Sequence, residues 1–459
     1  MQTKSENLAM AESAEMRIRH PRGLYVLFGT EMWERLSYYG MRSILVLYMV
    51  APLAAGGLGF ATTKATRIYG LYTGTVWLAP LIGGWIADRF LGAKRTVLLG
   101  GIIIASGHYC LAVPMFATFY AGLVLIVLGT GLLKPNISAM VGSLYTAGDT
   151  RRDAGFSIFY MGINLGGILA PLICGTLAQA PIVKQWLLQM GLPPETAWHV
   201  GFGAAGIGMT FGLLQFVIQR RHLAHVGNTV TQRANTEAIR PAAPLTRDEW
   251  KRIWAIAVFF AAAAIFWTIF EQAGSSMTLF ADQLTRNALF GWAFPSSWFQ
   301  SVNPLMIIVL APCFAALWSR WGAGQPSSPA KFACGLILAG LAFGVLACGA
   351  SLTGAGPVSP LWLIATYFLH TVGELCLSPV GLSTVTKLAP ARMVGLMMGI
   401  WFLASCVGNY AGGWMAGFFR PDAAALVHLF GGLSLMAIVA GGVLALLARQ
   451  VRSLMAGVR

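Results

Sequence analysis

The chain has 459 residues, of which 57% are hydrophobic and only 10% are charged, and its mean hydropathy is +0.68. A soluble protein of this length would carry about 25% charged residues, so the composition excludes a soluble globular protein and indicates a polytopic membrane protein. The formal net charge of +15 would suit a nucleic-acid partner, but the placement of the basic residues described below accounts for it without one.

Twelve apolar stretches are long enough, at about 20 residues or more, to cross a bilayer as helices. We place them at 23–51, 65–88, 95–115, 118–146, 154–180, 197–220, 250–284, 297–320, 331–352, 358–388, 392–419 and 424–450. Six precede and six follow the polar stretch 221–249, which we interpret as a cytoplasmic linker. The sequence therefore predicts an all-α membrane protein with the major facilitator fold, in which the bundles 23–220 and 250–450 each hold six helices.

The Lys and Arg residues set the predicted orientation. With the N-terminus inside, most of the 31 basic residues fall in the segment 1–22, the tail 451–459 and the loops of one side. This bias follows the positive-inside rule and predicts a multi-pass membrane protein with both termini in the cytoplasm. The membrane that we expect is the bacterial inner membrane. The mostly polar first twenty residues argue against a cleaved signal peptide.

The first span contains an unusual concentration of charge. In a helix, Glu31, Glu34, Arg35, Tyr38 and Arg42 share one face about 100° wide. A charge at bilayer depth is costly and normally faces a wet cavity or a partner. This face therefore indicates the wall of an aqueous pathway.

The ionisable residues well inside the spans share a second property: they lie only on spans 1, 4, 7 and 10. They are Glu31, Glu34, Arg35, Arg42, Lys134, Glu271 and Glu374. In the major facilitator fold these four helices, the first of each three-helix repeat, surround the central cavity. The placement is the strongest argument from the residues for a binding site between the bundles.

The depth of each charge suggests its role. Arg42 and Glu271 could pair across the two halves when the outer side is closed, which would make them a gate. A cavity that is positive at Arg35 and Lys134 and negative at Glu374 fits a zwitterion a few residues long. Its carboxylate would face the two cations and its amine would face Glu374.

Glu31 and Glu34 are the candidates for proton coupling, together with Arg35 and Lys134. Burial raises and a neighbouring cation lowers the proton affinity of a carboxylate, so a rearrangement of such a cluster can load and release a proton. An alternative is that all these charges form buried ion pairs that only fix the register of the helices.

Two sequence blocks carry a family resemblance. Glu31-Met-Trp-Glu-Arg-Leu-Ser-Tyr-Tyr-Gly40 and Phe159-Tyr-Met-Gly-Ile-Asn-Leu-Gly166 are similar to the two signatures of the proton-dependent oligopeptide transporter (POT/PTR) family of the major facilitator superfamily. Further similar blocks in family order extend the resemblance to residues 29–409, nearly the whole chain.

The resemblance implies proton-driven uptake of di- and tripeptides, and of peptide-like drugs, by alternating access. It implies that Arg35, Arg42 and Lys134 bind the peptide carboxylate, while Glu31 and Glu34 serve proton coupling. The remaining implied site residues hold the peptide backbone and amino end or form side-chain pockets: Tyr38, Asn164, Asn303, Glu374, Trp267, Trp401 and Ser405. It also implies gating by Arg42 and Glu271 at the outer side.

Three departures from the family pattern bear on these expectations. The polar linker is too short for the two extra helices of many bacterial members, so twelve spans are expected rather than fourteen. Trp77 stands where relatives often have tyrosine, which should alter peptide selectivity. Gly70 stands where animal transporters have a histidine, so proton coupling should rest on carboxylates.

Weaker signals are open to two interpretations. The block Gly83–Arg95 resembles the major facilitator loop 2–3 motif, in which Asp88 and Arg89 would hold the outward-open state; a solvated loop is the alternative. Spans also contain His108 and His370, for which we favour a packing role, and Tyr69, which borders the cavity or packs.

Three other functions were weighed. A symporter of the same family could carry nitrate or an amino-acid-like drug, although keeping Arg35, Lys134 and Glu374 together favours a zwitterion. A membrane enzyme would need a nucleophile or metal cluster, and none stands out in the sequence. A pore or receptor does not explain the charges shared between the halves. We expect a monomer in the lipid bilayer, with no cofactor other than the proton.

Overall fold

The computed structural model describes residues 20–146, 148–224, 226 and 245–458. Most of the predicted N-terminal segment 1–22 and of the predicted linker 221–249 lies outside the described residues, and the predicted domain limits stay a prediction.

Within these described ranges, twelve long helices follow the predicted spans, and we number them α1 to α12. They are α1 Arg22–Val50, α2 Thr62–Ile86, α3 Ala93–Leu111, α4 Phe116–Ser143, α5 Arg152–Ala170, α6 Ala197–Ile218, α7 Arg247–Phe270, α8 Val302–Trp321, α9 Ser328–Ser351, α10 Leu361–Leu388, α11 Val394–Ala416 and α12 Ala423–Leu446.

Shorter elements extend or connect these helices. The π-helical turns are Ala87–Leu91 and Pro171–Gly175; the short α-helices are Thr176–Gln179, Pro181–Gln189, Ser276–Leu284 and Ala448–Leu454; the 3-10 turns are Leu53–Ala55, Pro194–Thr196, Arg220–Leu223, Glu271–Gly274, Ser296–Ser301, Gly322–Gly324, Thr353–Ala355 and Ala391–Met393. A small hairpin that the sequence analysis did not predict joins β1 Ala288–Leu289 to β2 Trp292–Ala293. Its turn residues Phe290 and Gly291 both have positive φ, as a tight two-residue hairpin requires.

Nine helical segments in the described part of the chain are long and apolar enough to cross a membrane by length and composition alone. The helices α1, α2 and α3 are not among them. In α1 the reason is the charge of Glu31, Glu34, Arg35 and Arg42, because these residues lower the apolar character of an otherwise buried helix.

The packing of the helices repeats between the two halves. In the first half α1 packs on α5 and α6, α3 packs on α4 and α6, and α2 packs on α4. In the second half the corresponding pairs recur, with α7 on α11 and α12, α9 on α10 and α12, and α8 on α10. The halves meet through α2 with α11 and α5 with α8, which correspond to each other under the same exchange. This is the two-bundle arrangement of the major facilitator fold, and the predicted fold class is confirmed.

Glycine allows the closest contact between the bundles. A Cβ atom added to Gly413 of α11 would lie 2.5 Å from the Cα atom of Gly70 in α2, a distance that real side chains do not reach. Any larger residue at either position would force the two helices apart. The crossing of α2 and α11 is therefore fixed at this pair of glycines.

The helix α7 is interrupted where its charge lies. It ends at Phe270, continues as the turn Glu271–Gly274 and resumes at Ser276. An interrupted helix is tolerated at membrane depth only where protein or a wet cavity surrounds it. The interruption positions Glu271 between the two bundles.

The loop between α4 and α5 holds an ion pair outside the membrane-spanning segments. The side chain of Arg151 lies 2.8 Å from a carboxylate oxygen of Asp149. Hydrogen bonds from Arg151 lower the pKa of Asp149 to about 2.

Candidate functional site

We call the end of the molecule where α1 finishes at Val50 the outer end, following the predicted orientation. The charged face of α1 is buried and internally paired. Arg35 donates two hydrogen bonds to the carboxylate of Glu34, at 2.5 Å and 2.7 Å. Its Nε atom also lies 3.4 Å from Oε1 of Glu31, one turn earlier. The helix thus neutralises most of its own charge, because a guanidinium can hold two carboxylates at once.

Glu31 is less completely paired than Glu34. Its Oε2 atom is buried and, within the part of the chain that the structure describes, has no hydrogen-bond partner. Both oxygens of Glu34 accept a hydrogen bond from Arg35. A buried carboxylate oxygen without a donor is costly, so Glu31 is the member of this cluster best placed to accept a proton.

Arg42 joins the two bundles near the outer end of α1. Its Nη2 atom donates to Oε2 of Glu271 at 2.5 Å, and its Nε atom donates to the hydroxyl of Tyr69 on α2. Glu271 is 4% exposed, so the pair is shielded from water. The structure therefore brings the two residues of the predicted outer gate into direct contact.

A second group of polar contacts joins the bundles beside this pair, where α5 meets α8. Gln179 donates to the hydroxyl of Ser296 at 2.8 Å and accepts a hydrogen bond from the backbone N–H of Ser297. The indole of Trp298 donates to the hydroxyl of Thr176 at 3.0 Å. Both groups join the two bundles at the outer end.

Within the described part of the chain, Lys134 on α4 is not paired with a carboxylate. Its ammonium nitrogen lies 3.9 Å from the ring centroid of Trp77, a cation–π contact. No ion pair of Lys134 occurs among the described residues. The Trp77 ring in turn lies 6.5 Å from Trp267 of α7 and 6.4 Å from Phe402 of α11, both in the opposite bundle.

Glu374 on α10 has neutral partners. Asn303 on α8 donates from Nδ2 to Oε2 of Glu374 at 3.0 Å and to the hydroxyl of Thr371 at 3.0 Å. In the ranges that the structure describes, no cation forms an ion pair with Glu374. The amide orients the carboxylate but leaves its charge uncompensated, which suits an incoming cation.

The structure places the other predicted site residues in different surroundings. Tyr38 lies beneath the Arg35 guanidinium at 5.0 Å and stacks with Tyr72. Asn164 is 5% exposed and donates to the carbonyl of Tyr160 in its own helix. Trp401 and Ser405 on α11 are both buried.

Trp401 packs inside the C-terminal bundle. Its ring lies 6.1 Å from Phe332 and covers Gly381 of α10, where any added Cβ atom would collide with the indole. In this conformation Trp401 therefore packs against α10 from inside the C-terminal bundle.

Asp88 and Arg89 lie in the turn after α2, and both side chains are exposed. Neither belongs to an ion pair in the described ranges. Their predicted contribution to an outward-open conformation stays a prediction, since the outer end is closed here.

Two contacts lay beyond the sequence analysis. Tyr69 was open to two interpretations and proves to be a hydrogen-bond partner of Arg42. The sequence showed Trp77 only as a departure from the family pattern, but in the structure its ring makes a cation–π contact with the ammonium of Lys134. The signal that could have found Trp77 is the coincidence of an unusual aromatic residue and a buried lysine in neighbouring spans.

The fold and the charges between the bundles define a membrane transporter of the major facilitator type. A family model described as the POT family matches residues 94–234 and 228–425. An uncharacterised transporter, YclF, of Bacillus subtilis is 41% identical, with 96% of this chain and 96% of that protein covered. The peptide transporter YePEPT of Yersinia enterocolitica is 39% identical, with 95% of each chain covered.

Solved structures agree with this assignment. A crystal structure of a mutant of the peptide transporter POT in complex with alafosfalin has a TM-score of 0.87 and 40% identity, and the match covers 96% of this chain and 97% of that one. The chain belongs to the POT family. The predicted family, and the prediction of a transporter rather than an enzyme, are confirmed.

Proposed function

We propose that this protein is a proton-coupled symporter that imports di- and tripeptides by alternating access. The observation that carries the proposal is the uneven distribution of charge between the bundles. Arg35 and Lys134 lie on the N-terminal side, and Glu374 lies on the C-terminal side, where no cation of the described residues forms an ion pair with it. A short zwitterionic peptide complements both sides at once, because its carboxylate and its amine have opposite charges.

The arrangement supports a role for each group. Lys134 and Arg35 receive the peptide carboxylate, with Tyr38 and Arg42 beside them, and Glu374 receives the amine while Asn303 holds the carboxylate in place. Asn164, Trp267 and Ser405 shape the site around the peptide backbone and side chains, while Trp401 packs behind α10 and acts on the site through that helix. Peptide-like drugs with the same two charges would occupy the same positions.

The proton is the proposed coupling ion, and Glu31 and Glu34 are its carriers. Glu31 has a buried oxygen to which none of the described residues donates a hydrogen bond, while Glu34 is held by Arg35. A proton taken up by either acid weakens its contact with Arg35 and frees positive charge for the peptide carboxylate.

The paired gate supports alternating access. Arg42 and Glu271 hold the outer end closed, while the exposed Asp88 and Arg89, which form no ion pair in the described ranges, form contacts in the opposite conformation. The protein acts as a monomer in the lipid of the bacterial inner membrane, with both termini in the cytoplasm, where its basic loops satisfy the positive-inside rule.

The test is uptake of labelled dialanine by proteoliposomes with an inside-alkaline gradient. Accumulation that depends on the gradient, and that di- and tripeptides but not alanine compete away, is the expected result. A Glu31→Gln protein in the same vesicles serves as the control for coupling. Vesicles that exchange other substrates but never accumulate dialanine would contradict the proposed substrate.

A further inference from the structure

Trp77 occupies a junction between the two bundles. It lies seven residues, or about two turns, beyond Gly70, whose crossing with Gly413 holds α2 against α11. The outer gate of Arg42 and Glu271 lies near the other side of this crossing, where Tyr69 of the same helix receives a hydrogen bond from Arg42. One helix thus connects the gate to the aromatic contact with Lys134.

Lys134 has more than one possible partner nearby. The charges of Arg35, Glu34 and Glu31 all act on its ammonium group. Both Glu34 oxygens are engaged by Arg35, whereas Oε2 of Glu31 has no partner among the described residues. The ammonium nevertheless lies on the indole face at 3.9 Å.

The contact has a chemical consequence for both groups. An aromatic face attracts an ammonium without taking a proton from it or neutralising it, whereas a carboxylate forms a charge-assisted hydrogen bond that is stronger and harder to release. While Lys134 stays on the ring, Glu31 keeps a free oxygen, and the lysine keeps a charge that an incoming carboxylate can use.

We propose that Trp77 is the resting partner of the Lys134 ammonium in the outer-closed conformation, keeping it out of an ion pair with Glu31 until a peptide carboxylate takes it. Trp77 is then a positioning residue that separates peptide release from proton release. This role rests on the proposed function, since it assigns a step to the peptide carboxylate.

The contact itself can be observed by ¹⁹F NMR of protein labelled with 5-fluorotryptophan. The chain has 15 tryptophans, and the Trp77 resonance is identified by its loss in Trp77→Phe. Lys134→Gln should shift this resonance. Trp318 provides a matched control, because it carries a second lysine, Lys331, at 4.2 Å from its ring centroid and far from the site in sequence. Its resonance should not respond to Lys134→Gln.

Saturating dialanine should move the Trp77 resonance of the unmodified chain in the same direction as Lys134→Gln. Calorimetric titration of the same sample reports independently whether dialanine binds. Binding without movement of the Trp77 resonance would overturn the inference. Absence of binding would contradict the proposed function instead, and the response to Lys134→Gln would still decide whether the ring holds the ammonium.

Transport gives a second test with a readout that a packing role would not produce. Trp77→Leu should reduce gradient-driven uptake about 2- to 30-fold relative to counterflow exchange, the range that corresponds to the strength of a cation–π contact. Trp77→Tyr and Trp77→Phe should retain more coupling, and Trp318→Leu should leave the ratio unchanged. An equal loss of uptake and exchange in Trp77→Leu would show that Trp77 only packs.

Discussion

The two sides of the proposed site manage charge in different ways. On the N-terminal side, Arg35 holds Glu34 with two hydrogen bonds and approaches Glu31, so that opposite charges cancel within one helix. On the C-terminal side, the neutral amide of Asn303 is the only side chain among the described residues that donates a hydrogen bond to Glu374.

The difference separates two tasks. A network whose opposite charges cancel can be buried without a ligand, and the uptake of a proton changes its net charge. A single acid with neutral partners needs a cation from outside. We therefore propose that the N-terminal side serves coupling together with binding of the peptide carboxylate, and that the C-terminal side serves recognition of the amine. The ion pair of Arg42 and Glu271 joins the two sides.

The largest effect is expected from Glu271→Gln, which breaks the one buried ion pair described between the two sides. Removing one partner of such a pair costs about 3–5 kcal/mol because the other charge stays buried. The outer-closed conformation should lose this stabilisation. An Ala273→Cys reporter in a cysteine-free background should then react faster with an impermeant maleimide added from outside.

The control for this experiment is the double variant Arg42→Gln, Glu271→Gln, which leaves no unpaired charge. Its labelling rate should fall between those of the unmodified chain and Glu271→Gln. Equal labelling rates in all three proteins would show that the pair of Arg42 and Glu271 does not act as a gate.

The next largest effect is a loss of stability that should differ between Glu34 and Glu31, the two acids of the N-terminal side. Glu34→Gln deprives Arg35 of its bidentate partner and should lower the stability by about 2–3 kcal/mol. Glu31→Gln should cost less than about 1 kcal/mol, since one of its oxygens is unpartnered. Thermal unfolding in detergent measures this difference.

Both substitutions should abolish accumulation of dialanine driven by a proton gradient. The predicted difference between the two acids would be contradicted if Glu31→Gln were less stable than Glu34→Gln. The role of both acids in coupling would be contradicted if either variant still accumulated peptide against a gradient.

On the C-terminal side, Glu374→Gln keeps a hydrogen bond with Asn303 but loses the charge. Hydrogen bonds to charged groups contribute about 1.5–3 kcal/mol, so the KM for dialanine should rise roughly 10- to 100-fold. Asn303→Ala should have a smaller effect because the carboxylate stays charged.

Inhibition by N-acetylated dialanine separates recognition of the amine from a general loss of binding. Its weak inhibition should not change in Glu374→Gln. If Glu374→Gln weakened the binding of dialanine and of N-acetylated dialanine to the same extent, Glu374 would not recognise the amine.

The smallest effect is expected outside both sides, at the loop pair of Asp149 and Arg151. Asp149→Asn should leave transport unchanged and shift Tm by only about a degree, since solvent screens such pairs. Arg151 lowers the pKa of Asp149 from 3.8 to about 2. The stabilisation is therefore present above about pH 4 and is lost only as the pH falls towards 2, so the difference in Tm should stay constant between pH 5 and 8.

A difference that changed between pH 5 and 8 would contradict this assignment. Loss of uptake in Asp149→Asn would mean that the loop takes part in the transport cycle.

Much of the architecture was predictable because bilayer thickness imposes a length on every span. Hydropathy found all twelve helices, and the charge of Arg42 and Glu271 indicated which faces meet. The interruption of α7 after Phe270 was not predicted, because this stretch carries no proline and an apolar run resumes at Met277. The hairpin of β1 and β2 was missed because each strand has two residues.

The sequence by itself determined the fold class, the family and the set of charges that cannot face lipid, because each depends on residue type and spacing along one chain. The tertiary structure alone decided how those charges pair. Helical periodicity placed Glu31 and Glu34 on one face, but only the packing of α2, α4 and α11 shows that Lys134 rests on Trp77 rather than on either acid. Partner choice depends on distances of a few ångströms between helices that are far apart in sequence, and no pattern within one helix contains that information.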